Sequence, residues 1–247
     1  MVLGFVLPSR RFLRCNLLDI KIAVEKKGSL SLLFYCVTIS LVSEEKLESD
    51  IMSLCRRAEQ LGASQAVPLL ADDVVVDERA SLKCIAPLCP HYGRNLLCPP
   101  NVLPVSKFKD VLRCYHQAIL VKVDVPFVNQ ADSSETKEGG QSRLPCKEYE
   151  DSLKAGKMKL YEIVGKLEAS CLEKGYYLAA GLVAGSCTLC DECVGVGSGL
   201  PCRHPFQARP SMEAVGVDVM ATVERVGLHL SFARDMGRSW VGLVLVD

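Results

Sequence analysis

Three cysteines at C-x2-C-x2-C spacing, Cys187, Cys190 and Cys193, with a fourth at Cys202, constrain this chain more than any other feature. A cysteine at every third position lets one tight loop turn three thiolates toward a single place, and side-chain packing gives no reason for that repetition. Bacterial-type ferredoxins bind three irons of a cubane with such a loop and complete the set with a later cysteine. The spacing therefore points to a metal centre, with an iron–sulfur cluster ahead of zinc.

A second group lies upstream at Cys84, Cys89 and Cys98, within a stretch that also holds Pro87, Pro90, Pro99 and Pro100. Its C-x4-C-x8-C spacing fits the paired C-x2-4-C ligands of zinc ribbons poorly. The prolines stiffen the loop and remove backbone donors near the sulfurs. Two cubanes held only by cysteine need about eight thiolates, and the two groups supply seven. Either Cys202 completes the second group and the first is one short, or Cys202 crosses to the first. A single shared cluster using four of the seven is a further arrangement. His91, His204, Cys114, Cys146, an acidic side chain or an external ligand are candidates for the remaining position. A filled site would make an electron carrier, and an open iron would make an enzyme that binds a substrate or cofactor.

Composition narrows the class. The 247 residues are 49% hydrophobic and 23% charged, which describes a folded chain with a sizeable core. Formal net charge is zero, and no nucleic-acid-reading motif is visible, so nucleic acid is not an expected partner. Thirteen cysteines, an odd number in a chain without a convincing secretion signal, argue for metal in a reducing compartment rather than a disulfide framework. The scattered Cys15, Cys36, Cys55, Cys114, Cys146 and Cys171 read as small hydrophobes. Arg94, Arg203 and Arg209 can offset cluster charge or bind an anionic partner, against the plainer reading of solvated arginines. Glu213 reads as a helix-dipole acid. No nucleophile–His–acid set is evident, and the glycine-rich 195–199 does not open a helix after a strand.

Along the chain, residues 1–43 stand apart, with six Lys/Arg against two Asp/Glu. Their apolar run 30–42 has 13 residues, whereas a membrane span needs about 20. This segment reads as an atypical extension holding a peripheral strand or helix, and a downstream start would leave it outside the mature domain. From Ser43, a plausible N-cap, Leu47, Ile51, Leu54, Ala58 and Leu61 recur at helical spacing until Gly62. Strands follow at 66–70 and 74–76, then the first cysteine group, a helix through Val105, Phe108, Leu112 and Tyr115, and a strand over 118–125. Residues 129–145 have almost no apolar content and read as a surface insertion. A helix through Leu153, Leu160, Tyr161, Val164, Leu167 and Cys171, a strand over 176–184, the second cysteine group, a helix from Ser211 to Val226 and a strand over 240–246 complete the chain. The expected fold is a single α/β domain over 44–247. In it a helix, strand, cysteine loop, helix, strand unit occurs twice, with both cysteine loops at one side of the sheet.

The motifs Lys83-Cys84 through Cys98-Pro99-Pro100, Gly185-Ser186-Cys187 through Cys193, Cys202-Arg203-His204-Pro205 and Arg209-Pro210-Ser211-Met212-Glu213-Ala214 resemble a family of predicted metal-binding proteins, domain of unknown function 2284. The resemblance covers about residues 45 to 247. It implies a cytoplasmic protein found largely in anaerobic prokaryotes that binds iron–sulfur or another metal, with no settled activity. It carries over Cys84, Cys89, Cys98, Cys187, Cys190, Cys193 and Cys202 as metal ligands. The leading expectation is an iron–sulfur protein with one or two four-iron clusters that exchanges electrons with a redox partner protein. An enzyme with an open cluster iron is the first alternative. A zinc-stabilised interaction module is the second.

Overall fold

The computed structural model describes residues 30–126, 147–230 and 237–247; of 30–44 it describes the backbone alone. The insertion expected at 129–145, the extension up to residue 29, and Cys15 and Cys146 lie outside the described residues. Two compact units separate at residue 50. Of the first, the described part is helical backbone, the beginning of α1 (Leu30–Gln60). The helix therefore does not start at Ser43: the apolar run before it continues the same helical turn. In the second unit Ile51, Leu54 and Ala58 of α1 are buried at the spacing expected of one helical face.

The second unit is built on a four-stranded sheet in the order β1 (Gln65–Leu70), β2 (Gln117–Val125), β4 (Arg238–Val246), β3 (Ala180–Val183), every pair antiparallel. The two interior strands are the two longest, nine residues each. β2 pairs along its whole length with β4, Ile119 opposite Val244 and Leu120 opposite Leu243. Both strands are buried on both faces, which explains why their apolar residues run almost continuously instead of alternating. Pro68, which cannot donate to a ladder, is confined to the edge strand β1.

Alternation along the strands separates two cores. Ala118, Leu120, Leu182, Val241, Leu243 and Leu245 face a cluster with Phe108 and Leu112 of α3 (Val105–Leu112) and Val223 of α5 (Val219–Arg225). The opposite face meets α4 (Lys147–Glu173), whose Leu160, Ile163, Val164 and Leu167 are fully buried. Each such side chain contributes about 1.5–3 kcal/mol relative to exposure. The approach of α4 to the sheet is close: a Cβ at Gly242 would lie 2.8 Å from Val164 Cγ2 and 3.2 Å from Leu160 Cδ1.

Two local expectations change. The helix expected from Ser211 to Val226 is a 3-10 turn, Glu213–Val215, followed by α5. Gly216 between them has φ +90, and a Cβ there would meet Val105 Cγ1 at 2.5 Å. Asp218 then restarts the helix by capping Ala221 N–H at 3.1 Å. The strand expected at 74–76 is reduced to one bridge, Val76 to Val217. An additional helix, α2 (Glu78–Ile85), follows it, so Cys84 sits on a helical turn and not in the loop. Residues 74–85 thereby set where the first cysteine group lies. Since β1 and β3 run in opposite directions, loops leaving them start from opposite ends of the sheet. Asp77 N–H to Gly216 O and Asp218 N–H to Val75 O, both 2.8 Å, lead the first loop back to the second.

Candidate metal centre

The last turn of α2 carries Cys84 and two loops carry the other six cysteines, each loop held by hydrogen bonds more than by apolar burial. The first leaves α2, whose N-terminus is capped by Asp77 accepting from Arg79 N–H at 2.8 Å. Cys89 N–H returns to Cys84 O at 3.1 Å, Tyr92 N–H to Cys89 O at 3.0 Å, and Cys98 N–H to Asn95 O at 3.2 Å. Successive turns thus place Cys84, Cys89 and Cys98 along one folded ribbon. The second loop runs from Gly185, whose N–H donates to Glu213 Oε2 at 2.8 Å. Arg203 Nη1 donates back to Glu192 O at 2.7 Å, closing Cys193 and Cys202 toward each other. His204 N–H donates to Cys202 Sγ at 3.4 Å, a backbone donor aimed at a sulfur.

Asn95 clasps the two loops together. It is 6% exposed, its Nδ2 donates to Cys187 O at 3.4 Å, and its Oδ1 accepts from Leu97 N–H at 3.0 Å. Ser211 N–H to Leu97 O at 3.3 Å adds a second tie. Between the loops lies a cleft of about 400 Å³. Cys187, Cys190, Cys193 and Cys202 line it from one side, and His91 and Arg94 from the first loop, with Arg203 and His204 beside them. All seven cysteines are free thiols.

The thiols of the two groups act on one another. Burial pushes the Cys98 thiol up to about 12, helped by Cys84, Cys89 and Cys187, while Lys157 opposes the shift. Burial also raises Cys84, with Cys89 and Glu213 adding to it. Burial raises Cys187, with Cys202 and Cys190 adding, against the Leu189 backbone and Tyr161, which favour its charged form. Crowded thiols resist joint ionisation, and a bound cation reverses that order by stabilising the thiolates. Cys98 answers to both groups, because Cys187 of the second group is among its neighbours.

Beneath the second loop sit polar groups that no sequence motif singles out. Lys157 of α4 is 3% exposed; its Nζ donates to Ser186 O and stands 4.6 Å from the centroid of the Trp240 ring. Tyr161, one turn on, is 2% exposed, and its hydroxyl has no hydrogen-bond partner among the described residues. Thr188 Oγ1, between Cys187 and Cys190, is buried and unpartnered in the same way. One signal was available in the sequence. Leu153, Leu160, Val164 and Leu167 define an apolar stripe, and position 157 places a lysine within it.

The other expected residues divide. Arg94 and Arg203 line the cleft, as do His91 and His204. Arg209 instead pairs with Glu168 of α4, and its Nη1 donates to Ala208 O at 2.9 Å. Cys114 is exposed and donates to Asp110 O at 3.7 Å, apart from the cleft lining. Among the described residues no three or more His, Cys, Asp or Glu side chains converge tightly enough to hold one metal ion. Cys187, Cys190, Cys193 and Cys202 line the cleft, whereas Cys84, Cys89 and Cys98 lie outside its lining.

A family model described as predicted metal-binding protein, domain of unknown function 2284, matches residues 68–246. The chain belongs to that family. The matched region of this predicted metal-binding protein contains both cysteine groups, the clasp at Asn95 and the buried residues of α4. No curated protein and no solved structure matches the chain. Among the described residues no helix is long and apolar enough to cross a membrane.

Proposed function

We propose that this chain binds an iron–sulfur cluster through the cysteines of its two facing loops and serves in electron transfer or redox metabolism. One observation carries the reading. Residues 186–210 contain four of the seven cysteines, no helix or strand, and not one buried residue. A segment of that length without apolar burial has little to hold it in one conformation. Small metal-binding units solve the same problem by letting the metal act as their core, so that ligand binding supplies folding free energy. The loop places its thiols around a cleft where such a core fits.

The residues around the cleft fit an anionic thiolate-ligated group. Two buried hydroxyl groups, Tyr161 Oη and Thr188 Oγ1, lack acceptors, and leaving a buried donor unsatisfied costs about 1–3 kcal/mol each. Sulfur ligands carrying negative charge would accept from them. His204 N–H already donates to Cys202 Sγ, and hydrogen bonds to cluster sulfurs are among the terms that set potential. Cys84, Cys89, Cys98, Cys187, Cys190, Cys193 and Cys202 would hold the group, and when bound it supplies one-electron redox chemistry. Arg94 and Arg203 would offset its charge from the open side of the cleft. The ligands form one or two four-iron centres in this reading, and the electrons pass to or from a partner protein.

A second reading, an enzyme with an open cluster iron, draws on the cleft itself. His91 and Arg94 line it beside the thiols, and seven cysteines leave two centres one ligand short. Anaerobic purification followed by iron, acid-labile sulfide and zinc quantification tests both. Iron and sulfide in near-equal amounts are expected; zinc alone would overturn both in favour of a zinc-stabilised module. Paramagnetic resonance of the reduced protein with small ligands added then separates carrier from enzyme. A changed spectrum indicates an open iron, and an unchanged one a fully ligated cluster.

A further inference from the structure

Helix α4 carries a lysine and a tyrosine where its stripe otherwise presents apolar side chains to the sheet. Lys157 and Tyr161 are one helical turn apart and therefore on one face. At 3% and 2% exposure they are as buried as the leucines around them. A buried ammonium needs compensation. Lys157 finds a carbonyl, Ser186 O, and the face of Trp240, whose own Nε1–H is anchored to Leu153 O at 2.9 Å. Neither neutralises its charge. Among the described residues no carboxylate lies within ion-pair distance of it; Glu213 acts from farther away, its Oε2 already accepting from Gly185 N–H and Ser211 Oγ. Gly185 lets the loop approach, since a Cβ there would stand 3.1 Å from Lys157 Nζ.

Both residues answer to the same sulfur. Burial pushes the Lys157 ammonium below its usual range, and Glu213, Cys187 and Cys98 oppose that by favouring its charged form. Cys187 also disfavours ionisation of Tyr161, second only to burial, so the tyrosine keeps its proton beside it. An ammonium with no carboxylate at ion-pair distance, bonded to the carbonyl just before Cys187, and a buried hydroxyl with no partner at hydrogen-bond distance that interacts with the Cys187 sulfur mark a place prepared for negative charge.

We propose that Lys157 and Tyr161 are positioning residues for the metal centre: Tyr161 Oη–H donates to the Cys187 thiolate, and Lys157 clamps the Ser186 carbonyl and offsets the thiolate's charge. This rests on the metal-binding reading of the two loops. It assigns Cys187, of the four cysteines that line the cleft, as the sulfur on which the buried protein interior acts. Groups of this kind outside the ligand shell typically change metal affinity by about 10–100-fold. They favour the more negative, reduced state, so removing them lowers the reduction potential.

The test compares wild type with Tyr161→Phe and Lys157→Met, with Lys166→Met on the exposed face of α4 as control. Tyr161→Phe keeps the ring and so keeps the fold if Lys157→Met loses it. With equal iron and sulfide content, Tyr161→Phe should lower the midpoint potential by the equivalent of about tenfold, 59 mV for one electron. Lys157→Met should shift it the same way, and Lys166→Met should leave it in place. An unchanged potential in Tyr161→Phe at full iron content overturns the positioning role and leaves the cluster reading standing. If wild type carries zinc alone, the cluster reading fails. The positioning role is then judged by chelator competition, where a tenfold weaker hold in Tyr161→Phe supports it and equal retention overturns it. A wild-type protein that binds neither overturns both.

Discussion

The pair Glu168–Arg209 fastens the far end of the second cysteine loop to the body of the protein, and it offers a stability test that needs no knowledge of the metal. Glu168 Oε1 accepts Gly181 N–H at 2.6 Å, while Oε2 accepts from Arg209. Arg209 in turn holds Phe206 O at 3.2 Å and Ala208 O at 2.9 Å. The two side chains are 18% and 14% exposed. Breaking a fully buried pair costs about 3–5 kcal/mol; partial exposure brings the expectation for Glu168→Gln to about 2 kcal/mol. In a domain of this size that corresponds to a fall in Tm of about 4–8 °C. Arg209→Met should cost a similar amount, because it strands the carboxylate instead. The double variant removes both charges and should cost no more than either single change, about 2 kcal/mol of coupling in the cycle. Urea unfolding of the four proteins at matched metal content measures this, since bound metal adds to apparent stability. If the single effects add to within about 0.5 kcal/mol, the pair does not hold the loop.

Two further outcomes rest on local geometry. Gly242→Ala should destabilise the fold by about 2 kcal/mol, because the new Cβ would lie 2.8 Å from Val164 Cγ2 and 3.2 Å from both Leu160 Cδ1 and the Leu182 carbonyl oxygen; an unchanged unfolding midpoint would remove the close contact claimed between α4 and β4. The side-chain and backbone hydrogen bonds from Arg79 lower the Asp77 carboxyl to about 2. A depressed carboxylate stabilises the fold above the unfolded value of about 4, and that contribution is lost as pH falls from there through about 2. Carbon-detected magnetic resonance should place the Asp77 midpoint near 2, and a midpoint near the unfolded value would show that it does not cap α2.

Much of the fold was legible because its signals are periodic. The run Ala118–Val121, extended by Val123 and Val125, and the stretch from Trp240 to Val246 are largely apolar, and they form the two interior strands. The stripe through Leu160, Val164 and Leu167 is the helix that covers them. What escaped was decided by tertiary contacts. Helical spacing from Met212 to Val226 is real, yet Gly216 turns left-handed against Val105 and splits the segment. The same valines are still buried or partly buried in the core cluster. Nothing in residues 74–85 announces that Val76 pairs with Val217 and draws α2 across. The cysteines of the site could be read directly, because their spacing is local. Asn95 could not, and for Lys157 and Tyr161 the helical stripe gives the buried face but not the partner, because that depends on which loop lies opposite.

That difference bears on how the centre forms. α2 buries none of its residues, residues 86–104 bury only Asn95 and Cys98, and residues 186–210 bury none. Large apolar side chains on these loops point outward, Leu88 at 70% and Phe206 at 89% exposure. The sheet and α4 therefore have an apolar core of their own, and the loops have almost none. What joins the two layers is polar: Asn95 to Cys187, Gly185 to Glu213, Lys157 to Ser186, and Arg209 to Glu168. The first three of these contacts end on Cys187 or within two residues of it, and Arg209 follows Cys202 by seven. The rigid layer thus fixes the ends of both loops and leaves the thiols between those ends to be drawn together by what they bind. On this reading metal loading should protect backbone amides of 84–100 and 186–208 from hydrogen exchange while leaving those of β2 and β4 unchanged, because only the loops depend on the metal for their order.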